Sequence, residues 1–203
     1  MENTLMTNYW MIAIILYLTI ASITFIPVII ALLKKVELNP GGDSFDKSPH
    51  FSEETKELLN QHFSRIYGTL IFWKNKAEWH KRFHFYTLCW TIPISILIPV
   101  IVQYVDINFE AKLFLTIIST HSALLIAFHR ALKVENNYKA FRHGESEFYD
   151  LYRQLLDRPQ SFGDTEEKQI QKYFSDVDFI RRTVRIAETD NFPMIDDIKG
   201  KDQ

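Results

Sequence analysis

Apolar residues along this chain are gathered into three blocks. Tyr9–Leu33 contains no charge, and at about 1.5 Å per helical residue it can cross a hydrocarbon core of roughly 30 Å. Residues 85–105 form a second charge-free block, and residues 113–128 a shorter third one that must borrow a turn at its ends. Residues 106–112 join the second and third. A connection that short predicts a tight antiparallel hairpin. The first block does not read as a cleaved leader: Glu2 stands where a basic cluster would, and Lys34 and Lys35 follow like a stop-transfer signal.

The remaining pattern is helical. Asn39, Pro40, Gly41 and Gly42 predict a turn, and Ser48-Pro49 a second break. Ser52 is placed to cap a helix whose first turn carries Glu53 and Glu54. Leu59, Phe63, Ile66, Leu70, Trp73 and Ala77 then recur at steps of four and three, a seam that asks for a helical partner. The same step reaches His80 and His84. No breaker intervenes, so this helix is expected to run into the second span as a stalk. The third span is expected to leave in the same way, with Leu132, Tyr138, Phe141, Phe148, Tyr149, Leu151, Tyr152 and Leu155 as its stripe up to Pro159. The two stalks should pack as an antiparallel coiled coil. Asp164 and Glu167 have capping-box spacing. Ile170, Phe174, Val177, Ile180 and Val184 predict a final amphipathic helix, closed by Pro193 and followed by a mobile polar end.

The fold class is therefore an all-α integral membrane protein with three transmembrane helices, the last two a hairpin extended by long cytoplasmic helices. Its expected divisions are 1–35 (first span), 36–52 (linker), 53–158 (two-span hairpin with stalks) and 159–203 (C-terminal helix and tail).

Charge then orients the chain. Lys34 and Lys35 follow the first span, Lys74, Lys76, Lys81 and Arg82 precede the second, and Arg130, Lys133, Lys139 and Arg142 follow the third. Residues 1–8 hold no Lys or Arg, and Lys112 beside Asp106 and Glu110 is the hairpin's one cation. Basic residues favour the cytoplasmic side, which puts the N-terminus outside and the C-terminus in the cytoplasm. Tyr9, Trp10 and Tyr104 then fall at the outer interface and Trp79 near the inner one. With 203 residues, a net charge of -2 and one Cys, the chain excludes a disulfide scaffold, a Cys-based zinc module and a generally basic nucleic-acid binder, and its six Gly leave little room for a glycine-rich phosphate loop.

Few residues suggest chemistry. His121 is the one ionisable-class side chain deep in a span, where such groups are costly and often functional. At about 100° per residue it points away from Ser119, Ala123 and Ala127, a small-residue seam suited to close helix packing. It shares a face with Ile117, Leu124 and Phe128. That face is the candidate pore or inter-protomer surface; the alternative is a neutral imidazole bonded to a polar neighbour such as Gln103. Pro27, Pro93 and Pro99 permit kinks in the first two spans. His80 and His84 have zinc-pair spacing, but Glu78 lies on the wrong side of the turn, and no metal or other cofactor is expected. Lys74, Lys76, Lys81, Arg82, Arg130 and Lys133, with His129 and His143, read instead as a collar for anionic lipid head groups. Cys89 has no acid or base beside it, Glu145, Glu147 and Asp150 read as a solvated face, and no catalytic motif is present.

The aromatic, basic run from Trp73 through Lys74, Lys76, Trp79, His80, Lys81 and Arg82 to His84, the hairpin, and the returning run from Glu135 through Asn136, Asn137, Tyr138, Phe141, Arg142, His143 and Glu145 to Tyr149, ahead of Leu155-Leu156, form an ordered set. In that order the chain resembles the SLATT proteins, the SMODS- and SLOG-associating two-TM effectors of bacterial conflict systems. It departs from their basic unit by the extra N-terminal span. The resemblance implies a homo-oligomer that compromises the inner membrane when a nearby-encoded sensor or nucleotide-second-messenger enzyme reports infection. It carries over no catalytic residue. Membrane lipids are the other implied partner. The alternatives are a non-catalytic membrane adaptor that docks a cytoplasmic partner and a ligand-gated channel.

Overall fold

The computed structural model of the chain describes residues 2–38, 44–105 and 109–191, the side chains from Tyr9 onward. The Asn39–Gly42 turn, residues 106–108 of the predicted connection, Pro193 and the polar end lie outside the described residues. Five α-helices carry the chain: α1 (Glu2–Leu33), α2 (Glu53–Val102), α3 (Phe109–Ala131), α4 (Val134–Asp157) and α5 (Glu166–Asp190), with short 3-10 turns at Phe45–Lys47 and Pro159–Ser161. Among the described residues there is no strand. Three helices are long and apolar enough to cross a membrane: α1 over Tyr9–Leu33, α2 and α3. The third gains the turns its sequence block lacked, because the helix extends past 113–128 at both ends to 23 residues.

The helix expected to continue from stalk to span does so. α2 is a single element of 50 residues, its assignment unbroken at Pro93 and Pro99, as α1 is at Pro27. Ser52 caps it, its Oγ accepting from the Thr55 amide at 3.4 Å. The third span behaves differently. α3 stops at Ala131, Lys133 takes φ 42°, and α4 starts afresh at Val134. A left-handed residue costs a non-glycine about 1–2 kcal/mol. Here the bend is over-determined: the Leu132 and Lys133 amides donate to Phe128 O and Arg130 O at 2.9 and 3.0 Å, while Val134 is fully buried.

The contacts divide the chain into two compact units. The span unit comprises residues 2–33 and 79–135. Its buried set is small: Val28, Phe83, Tyr86, Leu125 and Val134 form one cluster, and Ile94, Ile101 and Ile118 another, flanked by Trp10, Tyr17 and Phe114. Its outward residues are large and apolar, among them Ile12 and Ile23 of α1, Ile92 and Ile96 of α2, and Leu124 and Phe128 of α3.

The core unit comprises residues 34–78 and 136–191 and inverts that arrangement. Leu59, Ile66, Leu70, Trp73 and Ala77 of α2 are buried with Phe141, Phe148, Tyr152 and Leu155 of α4. α5 adds Tyr173, Val177, Ile180 and Val184 to the same cluster, so three helices share the core where two were expected to pair. Phe45 and Phe162 belong to the same cluster, each meeting the Tyr173 ring edge-on, at 6.4 and 6.3 Å. Gly144 on α4 permits the closest approach: a methyl group there would collide with Val184 Cγ2 and sit 3.3 Å from the Trp73 ring.

Two local expectations are corrected here. The cap of α5 is Thr165, whose side chain accepts from the Lys168 amide, and not Asp164. Thr165 precedes the acidic pair Glu166 and Glu167 directly, which leaves Glu166 free to serve another helix. Its carboxylate accepts from the Ser52 amide at 2.7 Å, the Ser52 hydroxyl at 2.9 Å and the Thr55 hydroxyl at 2.9 Å, closing the N-terminus of α2 from outside. Second, Glu145 is not on a solvated face. It is 4% exposed and pairs with Arg142 Nη1 at 2.8 Å, because the inward arc of α4 is wider than its aromatic stripe.

Candidate functional site: a polar knot between the spans

His121 lies half-buried on α3 and faces α1 and α2. The Tyr17 hydroxyl lies 2.5 Å from its Nδ1 and the Tyr86 hydroxyl 3.3 Å from its Nε2. Tyr86 also donates to Ala21 O at 3.2 Å. That last bond fixes the direction of the rest. Because the Tyr86 hydrogen points to Ala21, its oxygen accepts from Nε2–H, and Nδ1 accepts from Tyr17. A neutral imidazole therefore satisfies every member of a chain running from α1 through α3 and α2 back to α1. Nearby, Trp90 Nε1 donates to Thr24 Oγ1 at 3.0 Å, a second α2–α1 bond. Trp90 meets Tyr17 edge-on at 5.0 Å and His121 at 5.7 Å. Interhelical hydrogen bonds between spans are worth roughly 0.6 kcal/mol each and up to about 1.7, so the knot orients helices more than it glues them.

α3 packs on neither expected face: its buried residues are Ala111, Ile118 and Leu125, with His121 beside them, while Leu124 and Phe128 stay exposed. Ala123 and Ala127 are exposed and Ser119 half-buried, so the small-residue seam is not where α3 packs within this chain. His121 itself turns inward, because two tyrosines on neighbouring helices supply partners that the apolar pattern concealed. Ile117 and Leu124 stay beside His121, lining a lateral groove of 510 Å³ between α1 and α3. Phe128 is exposed lower on α3, and Gln103 is exposed beyond the end of α2; the partners of His121 are tyrosines instead. Tyr17 carried a usable signal: a tyrosine in mid-span, away from the interfaces where its hydroxyl would find water.

The other expected site residues fall into both units. In the span unit Lys81, Arg82 and Arg130 are exposed and Lys133 half-buried. His80 is buried, while His84 Nδ1 lies 2.8 Å from His129 Nε2, a pair in which one ring must donate and the other accept. Among the described residues no three His, Cys, Asp or Glu side chains converge as metal ligands. Trp10 lies tilted against Tyr104 and Phe114, each at 5.9 Å, whereas Tyr9 is exposed. In the core unit Lys74 donates to Glu37 O at 3.0 Å, Lys76 lies 5.5 Å over the Phe72 ring, and His143 is exposed.

Outside the spans, burial and charge tune several groups in the core unit. Burial, with Glu145 close by, pushes the Tyr149 hydroxyl up to about 12. Burial lowers His62, which stacks on Phe174 with ring centres 4.0 Å apart. Hydrogen bonds from Ser52 and Thr55 hold the Glu166 carboxyl below its ordinary value, the Ser52 amide first among them. None of these groups is arranged as a nucleophile with its base. Compared with protein-family models, curated proteins and solved structures, the chain matches none.

Proposed function

We propose that the protein is a membrane effector of a bacterial antiphage or related conflict system. It sits in the inner membrane with its N-terminus outside and its core unit in the cytoplasm, as the distribution of Lys and Arg around the spans favours. On a signal from a linked sensor, protomers assemble and the spans open a leak path. The observation that carries this reading is α2. One uninterrupted helix of 50 residues begins in the core unit and ends as a charge-free, membrane-length segment of the span unit. A helix that belongs to both a water-facing core and a bilayer segment is a direct mechanical route between them. The order of basic-aromatic helix, paired spans and returning helix, which resembles the SLATT effectors, supplies the biological direction.

The test is membrane potential in cells carrying the protein and its activated genomic neighbour. Depolarisation is expected with the intact chain. It should disappear when a Gly-Pro-Gly insertion after Glu78 interrupts α2, while the protein still accumulates in the membrane. Unchanged potential with full-length protein present would overturn the reading.

One observation favours an adaptor instead. Phe179 is 70% exposed and Ile186 is also exposed, with Arg182 between them on the outward side of α5. If that face docks a partner and the spans merely anchor, replacing all three spans by an unrelated three-span anchor preserves activity; an effector loses it.

A further inference from the structure

α2 and α3 are joined at one end by residues 103–108. At about 1.5 Å per helical residue, His84 of α2 and His129 of α3 stand roughly 30 Å away, at the other end. There His84 Nδ1 lies 2.8 Å from His129 Nε2, with ring centres 5.0 Å apart. A contact between two imidazole nitrogens has a property that the His121 knot lacks. It needs one ring to donate and the other to accept, so it survives with no added proton or with one. With both rings protonated, each facing nitrogen carries a hydrogen, no acceptor remains, and two like charges meet. His121 faces hydroxyls instead, and a hydroxyl can turn from donor to acceptor.

The surroundings set how the pair responds. Both rings are half-buried, which leaves protons a way in. α2 brings His80, buried one turn before His84, and the exposed Lys81 and Arg82. α3 brings the exposed Arg130, and the bend after it the half-buried Lys133. Glu135, exposed at the start of α4, acts on His129 electrostatically. α1 packs at this level through Phe25 and Val28, which carry no charge. A first added proton therefore has Glu135 as counter-charge, whereas a second joins a level that already carries Lys81, Arg82, Arg130 and Lys133. We propose that the His84–His129 bond is an acid-released latch, closed while the pair holds at most one added proton and released when both rings are protonated, so that α2 and α3 part at this end. Release is a local opening, because the chain connection and the cluster of Ile94, Ile101 and Ile118 still hold the far end. In the orientation proposed above, the signal is acidification of the cytoplasm. The latch itself depends on neither that orientation nor the effector reading.

Spin-label distances test it. The full chain with Cys89→Ser receives Phe85→Cys and Phe128→Cys, at outward positions next to the pair, and is labelled in phosphatidylethanolamine–phosphatidylglycerol nanodiscs. Between pH values of about 7.5 and 5, on either side of the ordinary imidazole value near 6.5, the distance between labels should lengthen by about 2 Å or more, the scale of a helix shift. Labels at Ile96→Cys and Leu113→Cys, near the connection, should not respond. His84→Asn puts an amide where Nδ1 stands. An amide both donates and accepts, so the contact holds whether or not His129 is protonated, and the lengthening in acid should be lost. Should that variant fail to accumulate, His129→Gln does the same from the other side, at the position of Nε2. A distance between the Phe85 and Phe128 positions that stays fixed in acid would overturn the proposal. So would equal lengthening with and without the amide substitution, which would place the response to acid outside the pair.

Discussion

The two units of this molecule use the same residue types in opposite ways. In the core unit large apolar side chains point inward, and the exposed surface of its helices carries charges such as Glu53, Glu57 and Arg182. In the span unit large apolar side chains point outward, and the polar groups His121, Tyr17 and Tyr86 turn inward to one another. Burial of apolar surface drives folding only where the alternative is water. Between helices already in hydrocarbon that drive is absent, and close packing with interhelical hydrogen bonds takes over. α2 passes through both regimes in one helix: Leu70 is 0% exposed in the core unit, and Ile96 is 67% exposed in the span unit.

That contrast can be broken most sharply by making the same kind of change in both halves of α2. Leu70→Ala should cost about 2–5 kcal/mol, since it removes a fully buried side chain and leaves a cavity. Ile96→Ala should change stability by less than about 0.5 kcal/mol, as for a surface site, because its side chain is exposed rather than packed on protein. Thermal unfolding in detergent, followed by circular dichroism, reads both. Equal losses would mean that Ile96 packs in a protein interface and that the two regimes are not distinct.

The glycines offer the next contrast, both inside helices. Gly144→Ala in α4 drives a methyl into Val184 and against Trp73, and overpacking of this kind typically costs about 1–3 kcal/mol. Gly68→Ala in α2 meets nothing within 4 Å, so it should gain up to about 1 kcal/mol from helix propensity alone. Opposite signs from one substitution type, read as shifts of the unfolding midpoint, would place the tight three-helix contact at Gly144.

Periodicity explains how much of this was legible beforehand. The seam from Leu59 to Ala77 could be read because water on one side and protein on the other impose a four–three step, and its members are buried apart from the half-buried Phe63. On α5 the same reasoning selected Phe174, while the fully buried residue is its neighbour Tyr173. A one-residue error of phase is invisible when both candidates are aromatic. The break at Lys133 had no glycine or proline to announce it and is imposed by the packing of Leu132 and Val134. Within the spans the pattern says that a segment is apolar but hardly which face is inside, since lipid and protein accept the same side chains. On α3 the inward residues Ala111, Ile118 and Leu125 lie between the two faces the pattern suggests, and the inward turn of His121 depends on Tyr17 and Tyr86, which sit on other helices.

The knot is the feature that should distinguish the span unit from any lipid-solvated bundle of apolar helices. His121→Leu leaves Tyr17 without its acceptor and frees the oxygen of Tyr86. The expected cost is about 1–2 kcal/mol. Tyr17→Phe removes one bond and should cost about 0.6 kcal/mol. In the double variant the losses should add to less than their sum, because both delete the same bond. Strict additivity in a double-mutant cycle would mean that the two side chains do not interact.

The smallest expected effect is confined to the core unit and depends on pH. His62 has its imidazole lowered by burial, with Asp178 opposing and Arg181 and Arg65 reinforcing the shift. A base whose folded value lies below its unfolded one near 6.5 binds its proton more readily when unfolded. Its contribution is therefore complete above that pH and is lost as pH falls through the folded value. Glu166 adds a second loss at lower pH: its carboxyl is held down by the Ser52 and Thr55 hydrogen bonds, so the stabilisation is present above the ordinary carboxyl range and disappears as pH falls. His62→Phe keeps the ring on Phe174 and should flatten the fall in unfolding midpoint just below pH 6.5. Glu166→Gln should lower the midpoint at neutral pH and flatten the more acidic part of the profile. The span-unit substitution Ile96→Ala should leave the shape of the profile unchanged, and a distortion there would mean that acid acts first on the spans.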